Sequence, residues 1–127
     1  MYNKAPVIPI DVYYTDMKSL SEKINANDYD CIICLKRSGF ILGAFLSNQK
    51  TLPLFTTSEI KSIPSKYTRI LIVDDKICTG KSINKIKNKL PLLISITTAS
   101  MYVESNVYTD IYIKNVGQIS KMWYELS

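Results

Sequence analysis

Apolar and polar positions fall in blocks along this chain rather than alternating residue by residue. Five apolar blocks, residues 31–35, 52–55, 69–73, 92–102 and 111–116, are rich in Ile, Leu, Val and Thr. Such blocks predict strands covered on both faces of a sheet. Residues 12–14, Val-Tyr-Tyr, predict one more short strand. Met17, Leu20 and Ile24 recur at helical spacing over residues 16–24, and Thr15 stands where an N-cap belongs. Residues 40–47 predict a short apolar helix. Residues 81–90 predict a helix stopped by Pro91, with Ile83, Ile86 and Leu90 on one side and Lys81, Lys85 and Lys89 on the other. Residues 36–39 read as a turn. Residues 56–68, with their Ser, Lys and Pro64, read as a loop. Strands alternating with helices predict an α/β fold, one domain over residues 1–127, with a mainly parallel central sheet flanked by helices and right-handed crossovers.

Composition narrows the chemistry. The chain has 127 residues, 46% of them apolar, enough for one buried core. No apolar run reaches the roughly 18 residues that span a bilayer, and the N-terminus lacks the basic-then-apolar order of a signal peptide. The expectation is a soluble cytoplasmic protein with no membrane partner. The net charge of +5 suits solubility or an anionic ligand. No basic stripe is interleaved with aromatics, so nucleic acid is not expected. There is no histidine, which removes Ser-His-Asp chemistry, Cys-His dyads and histidine-ligated metals. Cys31 and Cys34 form a C-x-x-C, yet they lie in an apolar strand block. Residues three apart on a strand point to opposite faces, which predicts packing rather than a metal or redox pair. A sparse, odd set of three cysteines also fits a reducing compartment.

Residues 70–82, Ile-Leu-Ile-Val-Asp-Asp-Lys-Ile-Cys-Thr-Gly-Lys-Ser, carry the most chemistry. A buried strand ends in two carboxylates, Asp74 and Asp75. A loop then offers Thr79, Gly80 and Ser82 ahead of a helix. Loop amides and a helix N-terminus suit a phosphate, and the carboxylates suit sugar hydroxyls. Lys81 in the first helical turn opposes the helix dipole, and a bound dianion would offset that. A P-loop is excluded because it needs a glycine at the position of Asp75.

Residues 70–82 resemble the signature of type I phosphoribosyltransferases: four apolar residues, two acids, a short variable stretch, then Thr-Gly and a Thr or Ser. Residues 35–40, Leu-Lys-Arg-Ser-Gly-Phe, resemble the family's pyrophosphate loop. The chain ends, Tyr14-Thr15-Asp16-Met17, Asp110-Ile111-Tyr112 and Trp123-Tyr124-Glu125, are similar to bacterial xanthine-guanine enzymes. The resemblance implies a Rossmann-like phosphoribosyltransferase fold and a Mg²⁺-dependent transfer of 5-phosphoribosyl from phosphoribosyl pyrophosphate (PRPP) to a nucleobase. That is a glycosyltransferase reaction of purine salvage. Asp74 and Asp75 would bind the ribose hydroxyls and approach Mg²⁺ indirectly, through PRPP and water. Ile77, Cys78, Thr79, Gly80, Lys81 and Ser82 would wrap the 5-phosphate. Arg37, with Lys36, Ser38 and Gly39, would hold the pyrophosphate. Asp74, Asp75 and Arg37 would be the catalytic set. Cys78, Tyr102 and Trp123 would meet the base, and a homo-dimer or tetramer is implied, with Tyr13, Tyr14 and Tyr108 as interface candidates.

Three departures qualify the purine assignment. Cys78 stands where purine enzymes usually carry an aspartate. Tyr102 and Gln118 stand near the positions of a base-reading lysine and a stacking aromatic. The stretch between residues 55 and 69 is short for the family's lid. The alternative they motivate is a non-catalytic regulatory module of the same fold that binds PRPP or a nucleotide.

Overall fold

The computed structural model describes residues 7–35, 37–77, 79–104, 109–116 and 121–122. Lys36, Cys78, Tyr108, Gln118 and the terminal Trp123, Tyr124 and Glu125 lie outside the described residues. Strand β1 (Val7–Ile8) leads into helix α1 (Ile10–Glu22), then β2 (Cys31–Cys34), α2 (Phe40–Lys50) and β3 (Leu54–Thr56). After a 3-10 crossover (Thr57–Ser62) come β4 (Arg69–Ile77), α3 (Lys81–Lys87), β5 (Ser95–Val103), β6 (Ile111–Asn115) and β7 (Lys121–Met122).

Strands β2 to β6 form one parallel sheet in the order β3-β2-β4-β5-β6, and β1 pairs with β7 in a separate parallel ribbon. From β2 the chain steps outward to β3, then returns to β4 on the other side of β2. The loops leaving β2 and β4 therefore part from each other at the carboxyl ends of their strands. That switch point is where open α/β sheets bind ligands.

The central strands are apolar on both sides because both sides are covered. Ile32, Cys34, Leu71, Val73, Ala99 and Met101 face α1 and α2. Cys31, Ile33, Ile70 and Ile72 face α3 and the 3-10 crossover. Cys31 and Cys34 thus lie on opposite faces, both buried as free thiols, and burial pushes the Cys31 thiol up to about 11. Neither suits redox or metal work.

Several element boundaries differ from the sequence reading. Residues 12–14 are helical: Tyr13 extends the stripe of Met17, Leu20 and Ile24, and burial of that stripe outweighs the strand preference of Val-Tyr-Tyr. Thr15 is not a cap; it lies mid-helix and its hydroxyl donates to the Asp11 carbonyl at 2.9 Å. The 56–68 stretch is not bare loop. Glu59 accepts from the Thr56 amide at 2.9 Å and starts the 3-10 turns, which pack Ile60, Ile63 and Tyr67 on the sheet. Strand β4 runs four residues beyond Val73, so both aspartates are inside it. Strand β5 starts at Ser95, because Pro91 opens a turn that leaves Leu92 and Leu93 in solvent.

Candidate active site

The two loops singled out in the sequence meet at the switch point. The Leu35 amide donates to the Val73 carbonyl at 3.1 Å and ties the end of β2 to β4. The chain then turns at residues 37–39 so tightly that a Cβ on Gly39 would lie 2.6 Å from the Leu35 carbonyl oxygen and 3.1 Å from that of Val73. Only glycine fits there. Ser38 is held over the strand end, and its hydroxyl donates to Asp74 Oδ1 at 3.3 Å. In the second loop Gly80 has φ 79°, a left-handed conformation that favours glycine and lets the chain enter α3 at once. The Lys81 amide donates to Thr79 Oγ1 at 3.3 Å.

Between these loops lies a cavity of about 200 Å³, lined by Ser38, Asp74, Lys76, Ile77, Thr79, Gly80, Lys81, Ser82 and Ile83. This is below the ~300–1,000 Å³ of ordinary small-molecule sites. Its volume suits a small group of about the size of a phosphate. Helix α3 has only seven residues, so its dipole is slight, and the polar groups of the cavity wall are the loop amides, the Thr79 and Ser82 hydroxyls and Lys81. Arg37 is an exposed turn residue outside the cavity wall, and Gly39 is buried beneath it. Lys76 was missed in the sequence. It shares a strand face with Asp74, two residues away, and that became legible only once β4 was seen to continue to Ile77.

The same alternation separates the two carboxylates. Asp74 faces the cavity. Asp75 points to the α1 side, is 1% exposed, and accepts from the Tyr13 hydroxyl at 3.4 Å. Of the two aspartates expected at a ligand, Asp74 lines the cavity and Asp75 is not among its lining residues. Tyr13 is equally buried, which also removes it as an interface residue.

Burial, and then the charge of Asp75, push the Asp74 carboxyl well above the usual carboxylate range, against the opposing pull of the Asp75 amide and the Ser38 hydroxyl. A carboxyl raised on folding favours the folded state in its protonated form. That contribution is complete below its unfolded pKa of about 3.9 and is lost as pH rises into the neutral range. Asparagine mimics the protonated form. Asp74→Asn is accordingly expected to match the wild type in stability near pH 4 and to exceed it by on the order of 1 kcal/mol near pH 7.5. Urea unfolding of both proteins at the two pH values checks this, and an equal difference at both would contradict it.

Tyr102 is not at the cavity. Its ring is fully buried, and its hydroxyl donates to Asp16 at 2.6 Å. Asp16 is also paired with Lys114 at 3.2 Å. Burial, then that hydrogen bond, push the Tyr102 phenol above its usual range. Tyr102, expected near a base, is fully buried and is not among the residues that line the cavity. Its role is to join α1 to β5. Tyr102→Phe leaves a buried acceptor short of a partner and is expected to cost about 1–3 kcal/mol, read by urea unfolding.

Among the described residues no group of three or more His, Cys, Asp or Glu side chains could hold a metal ion. The donor set fits a Mg²⁺ carried in by ligand phosphates and waters, with Asp74 as a lone carboxylate beside it. No helix among the described residues is long and apolar enough to cross a membrane.

No protein-family model matches the chain, and no curated protein matches it in sequence. Solved structures do match its backbone. The Helicobacter pylori xanthine-guanine-hypoxanthine phosphoribosyltransferase is 18% identical with a TM-score of 0.83, covering 95% of this chain and 93% of that one. A purine phosphoribosyltransferase from Pyrococcus horikoshii is 21% identical with a TM-score of 0.79, covering 95% and 94%. A hypothetical protein from Neisseria gonorrhoeae, solved with bound ppGpp, is 16% identical with a TM-score of 0.66, covering 95% and 82%. Identity this low carries architecture rather than chemistry. The chain has the type I phosphoribosyltransferase fold, with its parallel sheet, flanking helices and switch-point cavity.

Proposed function

We propose that this protein is a phosphoribosyltransferase that moves the 5-phosphoribosyl group of PRPP to a nucleobase and releases pyrophosphate. The observation that carries the reading is the cavity itself. The Thr79–Ser82 loop and Asp74 wall it, and the Arg37–Gly39 turn stands over it at the switch point. The loop amides, Thr79, Ser82 and Lys81 hold the 5-phosphate. Asp74 accepts from ribose hydroxyls and favours the positive charge that develops on the sugar. The bond from C1 to pyrophosphate breaks, a base nitrogen bonds to C1 and gives up its proton to the leaving pyrophosphate, and Arg37, on the exposed turn, draws that pyrophosphate away. Mg²⁺ bound to the pyrophosphate supplies charge neutralisation there.

A purine base is favoured, because two neighbours of the same fold are named for purine substrates. In that reading Cys78 and Trp123, both outside the described residues, meet the base. The buried free thiols Cys31 and Cys34 suit the cytoplasm. A homo-oligomer completes the assignment.

A second reading, a regulatory module that binds PRPP or a nucleotide without turnover, is favoured by one feature. The 57–68 segment, in the place of a lid, packs on the sheet and contributes no residue to the cavity wall. The neighbour with bound ppGpp has the same fold. The two readings part in one assay: pyrophosphate release from PRPP and Mg²⁺ with guanine, xanthine, hypoxanthine, adenine, orotate or uracil offered singly. Release with a purine supports transfer and names the base. Silence with every base, while PRPP still raises the melting temperature, supports the module.

A further inference from the structure

We propose that a second site, at the opposite end of the sheet's strands from the phosphate cavity, docks an acidic amphipathic segment of a partner protein. A groove of about 450 Å³ opens between the 3-10 crossover and the turn from α3 to β5. Its walls are Ile60, Ile63, Tyr67, Leu90, Leu93 and Ile94. Beside it, Leu92 and Leu93 are 101% and 94% exposed, so two adjacent leucines stand wholly in water. Scattered exposed leucines need no explanation, but a contiguous apolar surface with a concave centre marks an interaction site. The groove starts at Ile70, the beginning of β4, whereas the phosphate cavity lies at the end of that strand.

Charge selects the occupant. The two segments beside the groove, residues 57–68 and 85–94, carry Lys61, Lys66, Lys85, Lys87 and Lys89 against the single acid Glu59. Lys61 and Lys89 line the groove itself. The nearby Asp30 is already paired with Arg69 at 2.8 Å. A second copy related by a two-fold axis would set these lysines against each other, since such an interface joins a patch to itself. A lipid surface would take Leu92 and Leu93 but leave the groove unfilled. A helix with apolar side chains on one face and carboxylates beside them fills the groove and meets the lysines.

The test uses a fluorescein-labelled peptide of about twenty residues, with leucines at positions i, i+3, i+4 and i+7 of each repeat and glutamates elsewhere. Fluorescence anisotropy with the full chain is expected to show micromolar-range binding that weakens several-fold between about 50 and about 500 mM salt. A counterpart with lysine for every glutamate should not bind. Leu92→Asp/Leu93→Asp and Lys61→Glu/Lys89→Glu should each weaken binding at least about tenfold, or about 1.4 kcal/mol; all four residues are surface positions, and circular dichroism checks the fold. The proposal is overturned if the acidic peptide does not bind, if the basic one binds as well, or if either variant binds normally. It is equally overturned if phosphatidylserine vesicles bind where the peptide does not. A dimer in sedimentation that Leu92→Asp/Leu93→Asp dissolves would give the groove to a second copy instead.

Discussion

Asp74→Asn is expected to lower PRPP affinity or turnover by on the order of 10²-fold or more, the usual loss when a positioned charge leaves a site. Asp74 is the carboxylate that lines the phosphate cavity, and Ser38 and the Asp75 amide fix its orientation at 3.3 and 2.9 Å. The variant keeps shape and the ability to accept one hydrogen bond but loses the charge that favours a cationic sugar. The folded state of the variant is expected to be sound at neutral pH, so the loss belongs to the ligand. Asp75→Asn makes the contrast. Asp75 lies on the α1 side against Tyr13, so its effect runs through the fold. Titration calorimetry with PRPP and Mg²⁺ separates them: a larger loss in Asp75→Asn than in Asp74→Asn would reverse the assignment of the two carboxylates.

Gly39→Ala is expected to damage both fold and site. Its Cβ would sit 2.6 Å from the Leu35 carbonyl oxygen, a backbone atom that cannot swing aside. Relief requires the turn to lift away from β4, which breaks the hydrogen bond that the Gly39 amide donates to the Leu35 carbonyl at 2.8 Å and moves Ser38 off Asp74. The cost is roughly 2–4 kcal/mol, a fall in Tm of about 10 °C for a domain of this size. Scanning calorimetry and PRPP titration check it. An unchanged Tm would mean that the turn is looser than the structure has it.

These two residues also show what could be read in the sequence. The parallel α/β architecture was legible because buried strands read as continuous apolar blocks, and blocks separated by helices admit few folds. The cavity was legible in part. Thr79, Gly80, Lys81 and Ser82 follow a strand and open a helix, and that local order places them together without tertiary knowledge. Ser38 joined them through a loop of the same type. The opposite facing of the two carboxylates was not legible because β4 was expected to end at Val73, whereas it runs to Ile77. The alternation that put Cys31 and Cys34 on opposite faces applies equally to Asp74 and Asp75 once the strand continues, and it would have brought in Lys76. Tyr102 could not be placed from local pattern, because its partners are Asp16 and, through it, Lys114, on elements distant in sequence. The helical turn of residues 12–14 was hidden by strand-favouring residues, although Tyr13 continues the helical stripe.

The most direct measurement is calorimetric titration of the wild-type chain with PRPP in the presence of Mg²⁺. The account predicts one saturable site per chain, with binding that inorganic phosphate weakens by competition and that Asp74→Asn largely removes. Absence of heat and of any rise in Tm at millimolar PRPP would contradict it, and with it the assignment of the switch-point cavity to a phosphorylated sugar.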